Sequence, residues 1–503
     1  MAGTQRLTRA IRLPQATAMV VGTIIGTSIF VQPSDVTGQV PSVAGVFVVW
    51  IVCGVLTLFG ALVCAELSSI FTRSGGVYVY LKEAYSPAVG FLWGWAMFWT
   101  MHSGIIAAIA TVCGRYTAYF VELDDYGIKA VAIAMIALLS AINYAGVRRG
   151  SQLQTLFTVG KIVAITVIIV SGFLFGADAH ERVLEAAAAA PTALEAGAAG
   201  TAGLEALASA GSGAAAGGGT EAGTVGITEF LLALVAGLFA FGGWHMVTYN
   251  SEETVEPRTT IPRALIIGTG IVTLCYVAMN AVYMWVLPLD TIAASTRVAA
   301  DAADAVWGSG GGAMMSGLVI FSAFGALAGI ILAGPRVYYA MAQDGLLFRW
   351  AGVVHPKFRT PHRAIVLQGV WSCVLVATGS YRVLFTRVIY TEWIFFGLMA
   401  FGLIIFRRRD AAHASGNPGS DDDEPSGRTA RPFKAAYHLW GYPAVPLIFV
   451  FSAFAIVINQ VISSPLESIT GLSLVLVGLP VYYLWARNPS AGPTQPPHIP
   501  EQE

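Results

Sequence analysis

Charge is what this sequence has least of. Of its 503 residues 11% are Asp, Glu, Lys or Arg and 56% are hydrophobic, whereas a soluble globular chain carries about 25% charged residues. A chain so poor in charge cannot wet its own surface, which excludes a soluble enzyme, a coiled coil and a nucleic-acid-binding domain. Cysteine is also sparse. Cys53, Cys64, Cys113, Cys275 and Cys373 all lie inside apolar runs, so no disulfide framework and no metal-type spacing is expected. There is no P-loop, no HExxH, no CxxC and no Asp/Glu pair at membrane depth, which removes the usual equipment of a membrane-embedded enzyme. Neither a cofactor nor a metal is expected. A signal-peptide cleavage pattern is missing too: Arg6, Arg9 and Arg12 precede an apolar run that continues too long.

What is present is apolar length. Mean hydropathy is +0.68, and apolar runs of about 20 residues, the thickness of a bilayer's hydrocarbon core, recur throughout. Twelve spans are expected, at roughly 15–37, 43–69, 88–113, 128–145, 153–175, 228–248, 263–287, 313–341, 363–380, 383–406, 441–462 and 468–486. Lys and Arg orient them. With the N-terminus inside, 21 of the 28 basic residues fall on the inner side and 6 on the outer, while Lys161 lies within a span. That asymmetry is the positive-inside signature, and it places both termini in the cytoplasm.

Three segments differ from the rest. Residues 177–226 are dominated by Ala and Gly and read as a long, flexible or partly ordered outer loop. Residues 410–430, with SGNPGSDDDEPSG, read as a disordered inner loop, and the Pro-rich end as a solvated tail. No chemistry is assigned to any of them.

Glycine interrupts two of the spans. The first contains Gly22-Thr23-Ile24-Ile25-Gly26-Thr27-Ser28-Ile29-Phe30, and the sixth contains Phe239-Ala240-Phe241-Gly242-Gly243-Trp244-His245. Glycine inside a helix costs up to about 1 kcal/mol relative to alanine. In a bilayer, freed backbone groups are tolerated only where they are buried in protein or line a cavity. Close helix packing explains either segment alone about as well. Together they occupy matching places if spans 1–5 and 6–10 are two repeats, and paired interruptions of this kind point to a transporter site near the midplane. Five is odd, so the second repeat is inverted. Two facing breaks offer N–H groups to a carboxylate and carbonyls to an ammonium. An α-amino acid is the natural guess.

A few ionisable residues fall inside spans. Lys161 sits in the fifth, where a central lysine costs about 2.5–3.5 kcal/mol on insertion scales and is functional by default; snorkelling to the inner interface is the alternative. His102, His245 and Glu392 are candidates for a pH link, the histidines being as readily structural hydrogen-bonders. Glu392 either pairs with Arg387 or Arg382 or lines the outer half of a pathway. Glu66, Arg73, Glu252, Glu253 and Arg336 cluster at inner helix ends and read as a cytoplasmic ionic gate or as a solvated face.

At these residues the sequence resembles a known group. GTIIGTSIF is similar to the first-helix motif of the amino acid–polyamine–organocation transporter superfamily. AFGGWHMVTYNSEE with IPRAL resembles the sixth-helix region of its L-type amino acid transporter branch. The likeness continues through AELSSIFTRSGGVYVYLKEAY, GPRVYYAMAQDGLLFRWAGVVHPKFRTPHRAI and RPFK, so it covers nearly the whole chain.

The resemblance implies an all-α integral membrane fold of twelve transmembrane helices, in two inverted five-helix repeats with broken helices 1 and 6 and two peripheral helices. The chain then divides into a cytoplasmic N-terminus (1–14), a first repeat (15–175), the Ala/Gly-rich extracellular loop (176–227) and a second repeat (228–406). A cytoplasmic loop (407–440), helices 11–12 (441–486) and a cytoplasmic Pro-rich tail (487–503) complete it. By the same resemblance the substrate carboxylate rests on amides around Ile25, Gly26, Thr27 and Ser28, and its amino group on carbonyls around Phe239, Ala240 and Phe241. Phe239 matches an aromatic covering the site from outside, Gly242 and Gly243 match the unwound glycines, and Lys161 matches a lysine standing where relatives bind sodium.

Ser28, His245, Ala326 and Ala328 depart from the usual motif residues and favour a less polar site wall. The family's animal members bond a glycoprotein subunit through a cysteine between helices 3 and 4; VELDDYGIKA has none, so no disulfide-linked heavy subunit is expected.

The expected function is sodium-independent, alternating-access transport of amino acids across the plasma membrane, as exchanger or proton symporter. The bilayer and an amino acid are the expected partners. Neutral substrates are expected because the site segments of helices 1, 6 and 8 carry no carboxylate. Two alternatives stay open: a sodium-coupled or cationic amino acid or amine transporter of the same fold, and an amino acid sensor without flux.

Overall fold

The computed structural model describes residues 7–196, 226–295, 297–308, 310–378, 381–414 and 435–486. Among these, regular structure is helical, apart from an isolated parallel bridge between Ile11 and Thr254. Among the described residues eight helices are long and apolar enough to cross a bilayer, which makes this a multi-pass membrane protein. Helices occupy all twelve of the stretches expected from hydropathy.

Burial separates inner helices from outer ones. In Gly311–Gln343, 72% of the most apolar window is buried, against 22% in Asp125–Tyr144. An apolar helix with so little of its surface covered by protein faces lipid. Leu138 and Leu274 are among the large apolar side chains left exposed. At the centre, Gly311–Ala333 packs against the first, third, fourth and fifth spans, and Val43–Ile70 lies along Pro257–Val286. Lipid tails are as apolar as leucine, so helices here associate through close packing rather than water exclusion. Gly268 shows how: a Cβ at this position would run into Val20 of the first span.

Both glycine-rich segments break their helices. Leu13–Ile24 stops, a short 3-10 turn spans Ser28–Phe30, and helix resumes at Gln32–Gln39. Ile227–Ala240 stops likewise, and Trp244–Glu253 continues as 3-10 helix. Gly243, between them, has φ +96, and a Cβ there would lie 3.1 Å from the Thr23 carbonyl oxygen. Glycine is therefore required twice over, for the left-handed backbone and for the approach of one break to the other.

Several boundaries differ from the sequence expectation. The fifth-span helix does not end near 175 but runs from Val147 to Ala196. The Ala-rich stretch, expected to be loop, is helical at its start because alanine carries the highest helix propensity. The remainder of that loop, at 197–225, lies outside the described residues, as do most of the acidic inner loop and the Pro-rich tail. Connections between the expected spans contain short helices at Val77–Ala84, Leu289–Ala294 and Val298–Trp307. The third span carries a π turn at Met97–Met101, immediately before His102.

Candidate binding site between the two helix breaks

Breaking a helix frees backbone groups, and buried backbone groups need partners. Around the first break the carbonyls are taken up by side chains from three other spans. Lys161 Nζ donates to the carbonyls of Gly22 (3.1 Å), Ile25 (2.5 Å) and Ser322 (3.1 Å), which uses all three ammonium donors. Ser322 Oγ donates to the Gly26 carbonyl at 2.8 Å. The Tyr276 hydroxyl lies 3.1 Å from the Ile24 carbonyl and 3.0 Å from that of Ala240, touching both breaks at once. Thr23 Oγ1 lies 3.2 Å from the Gly243 carbonyl. The lysine arrives with its helix already docked, since Thr158, one turn earlier, donates to the Ala18 carbonyl at 3.0 Å.

The donors are left differently. Among the described residues the backbone N–H groups of Thr27 and Ser28 make no hydrogen bond, and the carbonyls of Phe241 and Gly242 accept none. A cavity of about 590 Å³, counting its open side, lies between the two breaks. Gly26 and Ser28 line it from the first break, and Phe239, Gly242 and Gly243 from the sixth. The arrangement offers donors on one wall and acceptors on the other, with little charge between.

Not every expected residue reaches this cavity. Ile25 is fully buried and its carbonyl is occupied by Lys161. Thr27 does not line the cavity. Ala240 turns its carbonyl to Tyr276, and the Phe241 ring packs edge-on against Tyr276, 4.9 Å between centroids. Lys161 lies wholly buried behind the first break rather than in the cavity.

His102 and His245 do not line it either. His102 Nε2 donates to the Ile330 carbonyl at 2.8 Å. Among the described residues neither ring nitrogen of His245 has a hydrogen-bond partner, and its ring sits among Trp93, Trp244, Tyr249 and Phe396. Glu392 does line the cavity, with Trp393 and with Phe396 one turn further along the Tyr381–Ala414 helix. The side chains of Arg382 and Arg387 lie outside the described residues, so the pairing expected for Glu392 does too.

The inner-side charges do not form one network. Glu253 and Arg336 make a fully buried, two-pronged pair with both bonds at 2.9 Å. The Glu253 carbonyl also accepts from the Ala10 and Ile11 N–H groups, at 2.8 and 3.0 Å. Glu66 is held instead by Arg407 at 2.8 and 2.7 Å and accepts from the Leu439 N–H. Arg73 pairs with Asp344 at 2.7 Å, and Lys82 and Tyr78 reach the same carboxylate at 2.6 and 2.8 Å. Glu252 accepts from the Ser74 N–H at 3.2 Å.

Asp344, Lys82, Tyr78 and Arg407 were absent from the gate as read from sequence. The signal for Asp344 was its position directly after the eighth span, in AQDG. Burial opposes ionisation of Asp344, but Arg73 and Lys82 outweigh it and hold the carboxyl below its ordinary range.

Comparison with known proteins agrees along the chain. The amino acid permease family model matches residues 11–484. The b(0,+)-type amino acid transporter 1 of Mus musculus is 27% identical over 497 residues, covering 96% of this chain and 89% of its own. The human cystine/glutamate transporter is 27% identical, with 96% and 87% covered. The serine/threonine exchanger SteT of Bacillus subtilis is 29% identical, with 95% and 97% covered.

Proposed function

We propose a mechanism from an established premise: this chain belongs to the amino acid permease family. It is an amino acid permease of the membrane, and not an enzyme. The observation that carries the mechanism is the unpartnered backbone of Ser28 and Gly242, which line one cavity from opposite breaks, with the unpartnered groups of Thr27 and Phe241 next to them in the chain. The Thr27 and Ser28 amides take the substrate carboxylate, and the Phe241 and Gly242 carbonyls take its ammonium. Gly26 and Gly243 let the backbone approach, and Phe239 covers the cavity from outside. Every α-amino acid carries this head group, so the breaks recognise the class and the remaining wall selects the member.

Transport proceeds by alternating access without sodium. Lys161 places a fixed positive charge among carbonyls that would otherwise suit a bound cation. Twelve crossings, two inverted repeats with the boundaries given above, two peripheral helices, cytoplasmic termini and a plasma-membrane location complete the reading. It is supported by breaks at matching places and by the packing of the second span along the seventh. The connection between the third and fourth spans lacks a cysteine, and no disulfide-linked subunit attaches there. Exchange is the favoured mode, in keeping with the exchanger among the relatives.

The test is uptake of labelled amino acids into sodium-free proteoliposomes, empty or preloaded. Uptake that requires preloading is the expected result. Uptake driven into empty vesicles by an inward proton gradient would replace exchange with symport, and uptake only with sodium would overturn the role of Lys161.

A further inference from the structure

Glu392 is the sole ionisable side chain among the described residues lining the cavity. Apart from Thr23 and Ser28 the rest of that lining is glycine, apolar or aromatic, with Ile105, Ile109, Ile330, Trp393 and Phe396 prominent. Glu392 is only 7% exposed, and none of the ion pairs of the described residues includes it. The other charge at this depth, Lys161, has every donor engaged on the far side of the first break. Tyr249 lies within electrostatic reach of Glu392 but offers it no positive charge. A carboxylate held in such a place without a counter-charge among the described residues is expensive, and a cavity built this way gains most from a ligand that brings one.

The head group of an amino acid cannot be that ligand part. On the reading given above, on which this inference rests, its ammonium and carboxylate are both satisfied by the two breaks. The positive charge that meets Glu392 therefore belongs to the substrate's side chain. The wall beside it suits the same substrate: Trp393 and Phe396 line the cavity with Glu392, and an aliphatic stem packs favourably on aromatic side chains while its charged end reaches a carboxylate.

We infer that Glu392 is the side-chain acceptor of this permease and that its substrates are amino acids with a cationic side chain. The neutral-substrate expectation considered only helices 1, 6 and 8, whereas this carboxylate enters from the Tyr381–Ala414 helix.

The test compares exchange of labelled lysine with that of labelled norleucine, which keeps the chain length and loses the terminal ammonium, using the full-length protein in sodium-free proteoliposomes. Wild type favours lysine. In Glu392→Gln, which keeps shape and removes charge, the lysine-to-norleucine ratio falls by about tenfold or more. Glu392→Asp retains a preference for lysine. The ratio in wild type is read without any variant, so a misfolded mutant does not decide the matter. Wild type that exchanges norleucine but not lysine overturns the assignment of Glu392 and leaves the transport reading standing, as does an unchanged ratio in Glu392→Gln. Wild type that exchanges neither, nor any other amino acid, removes both.

Discussion

The two helix breaks look alike in sequence and are finished differently. The first has its carbonyls covered by three side chains, with Lys161, Ser322 and Tyr276 accounting for Gly22, Ile24, Ile25 and Gly26. The sixth shares Tyr276 and borrows Thr23, and it keeps the Phe241 and Gly242 carbonyls open. One break is thus braced by protein on its acceptor side and free on its donor side; the other has acceptors to spare. The difference teaches how two similar interruptions come to differ, and on the proposed reading the groups each leaves open are the ones a zwitterion would use.

Removing the brace is the most drastic way to break that contrast. Lys161→Ala leaves the buried Gly22 carbonyl without its side-chain donor and the Ile25 carbonyl with only a 3.5 Å contact from Ser322 Oγ, losses of about 1–3 kcal/mol each. Exchange is expected to fall by about a hundredfold or more, while surface expression falls much less. Rates normalised to purified protein check this, and unchanged uptake removes the lysine from the mechanism.

A smaller loss is expected when the breaks are pushed apart. Gly243→Ala meets both the positive φ and the Thr23 carbonyl. Strain of this kind is worth about 1–3 kcal/mol. The variant should show weaker substrate affinity and a lower Tm, whereas Gly270→Ala, whose Cβ meets nothing within 4 Å, should show neither.

The inner side sharpens the comparison with the least effect. Asp344 is held ionised by Arg73 and Lys82, so its folded-state pKa lies below the unfolded one. The stabilisation is present at neutral pH and is lost as pH falls through that lowered value. Melting curves of wild type and Asp344→Asn should differ at neutral pH and converge in acid. Curves that stay parallel down to acid pH would show that the Asp344 contacts contribute nothing through charge.

Much of this was legible in the residues. Hydropathy marked the stretches where the eight long apolar helices of the described residues stand, and the glycine runs marked both breaks. Lys161 stood out because a buried ammonium has no cheap reason to be there. The charges at the helix ends expected on the inner side were legible as a group but not as pairs. Arg336 found Glu253, while Glu66 found Arg407 across 341 residues and Arg73 found Asp344 across 271. Ala240 and Phe241 were placed in the right turn, yet their contacts run to Tyr276, away from the cavity. The Ala-rich stretch was misread at its start because glycine further along outweighed alanine's own helix preference.

Composition, run length and the position of interruptions are properties of neighbouring residues. The sequence by itself therefore determined a helical membrane protein with two broken helices. Which carbonyl meets which donor, and that Glu392 turns into the same cavity as Gly26 and Gly243, depend on which helices lie side by side. In lipid, that choice follows from the fit of small residues against large ones and from the pairing of buried polar groups, and neither is written in the order of residues along any one span.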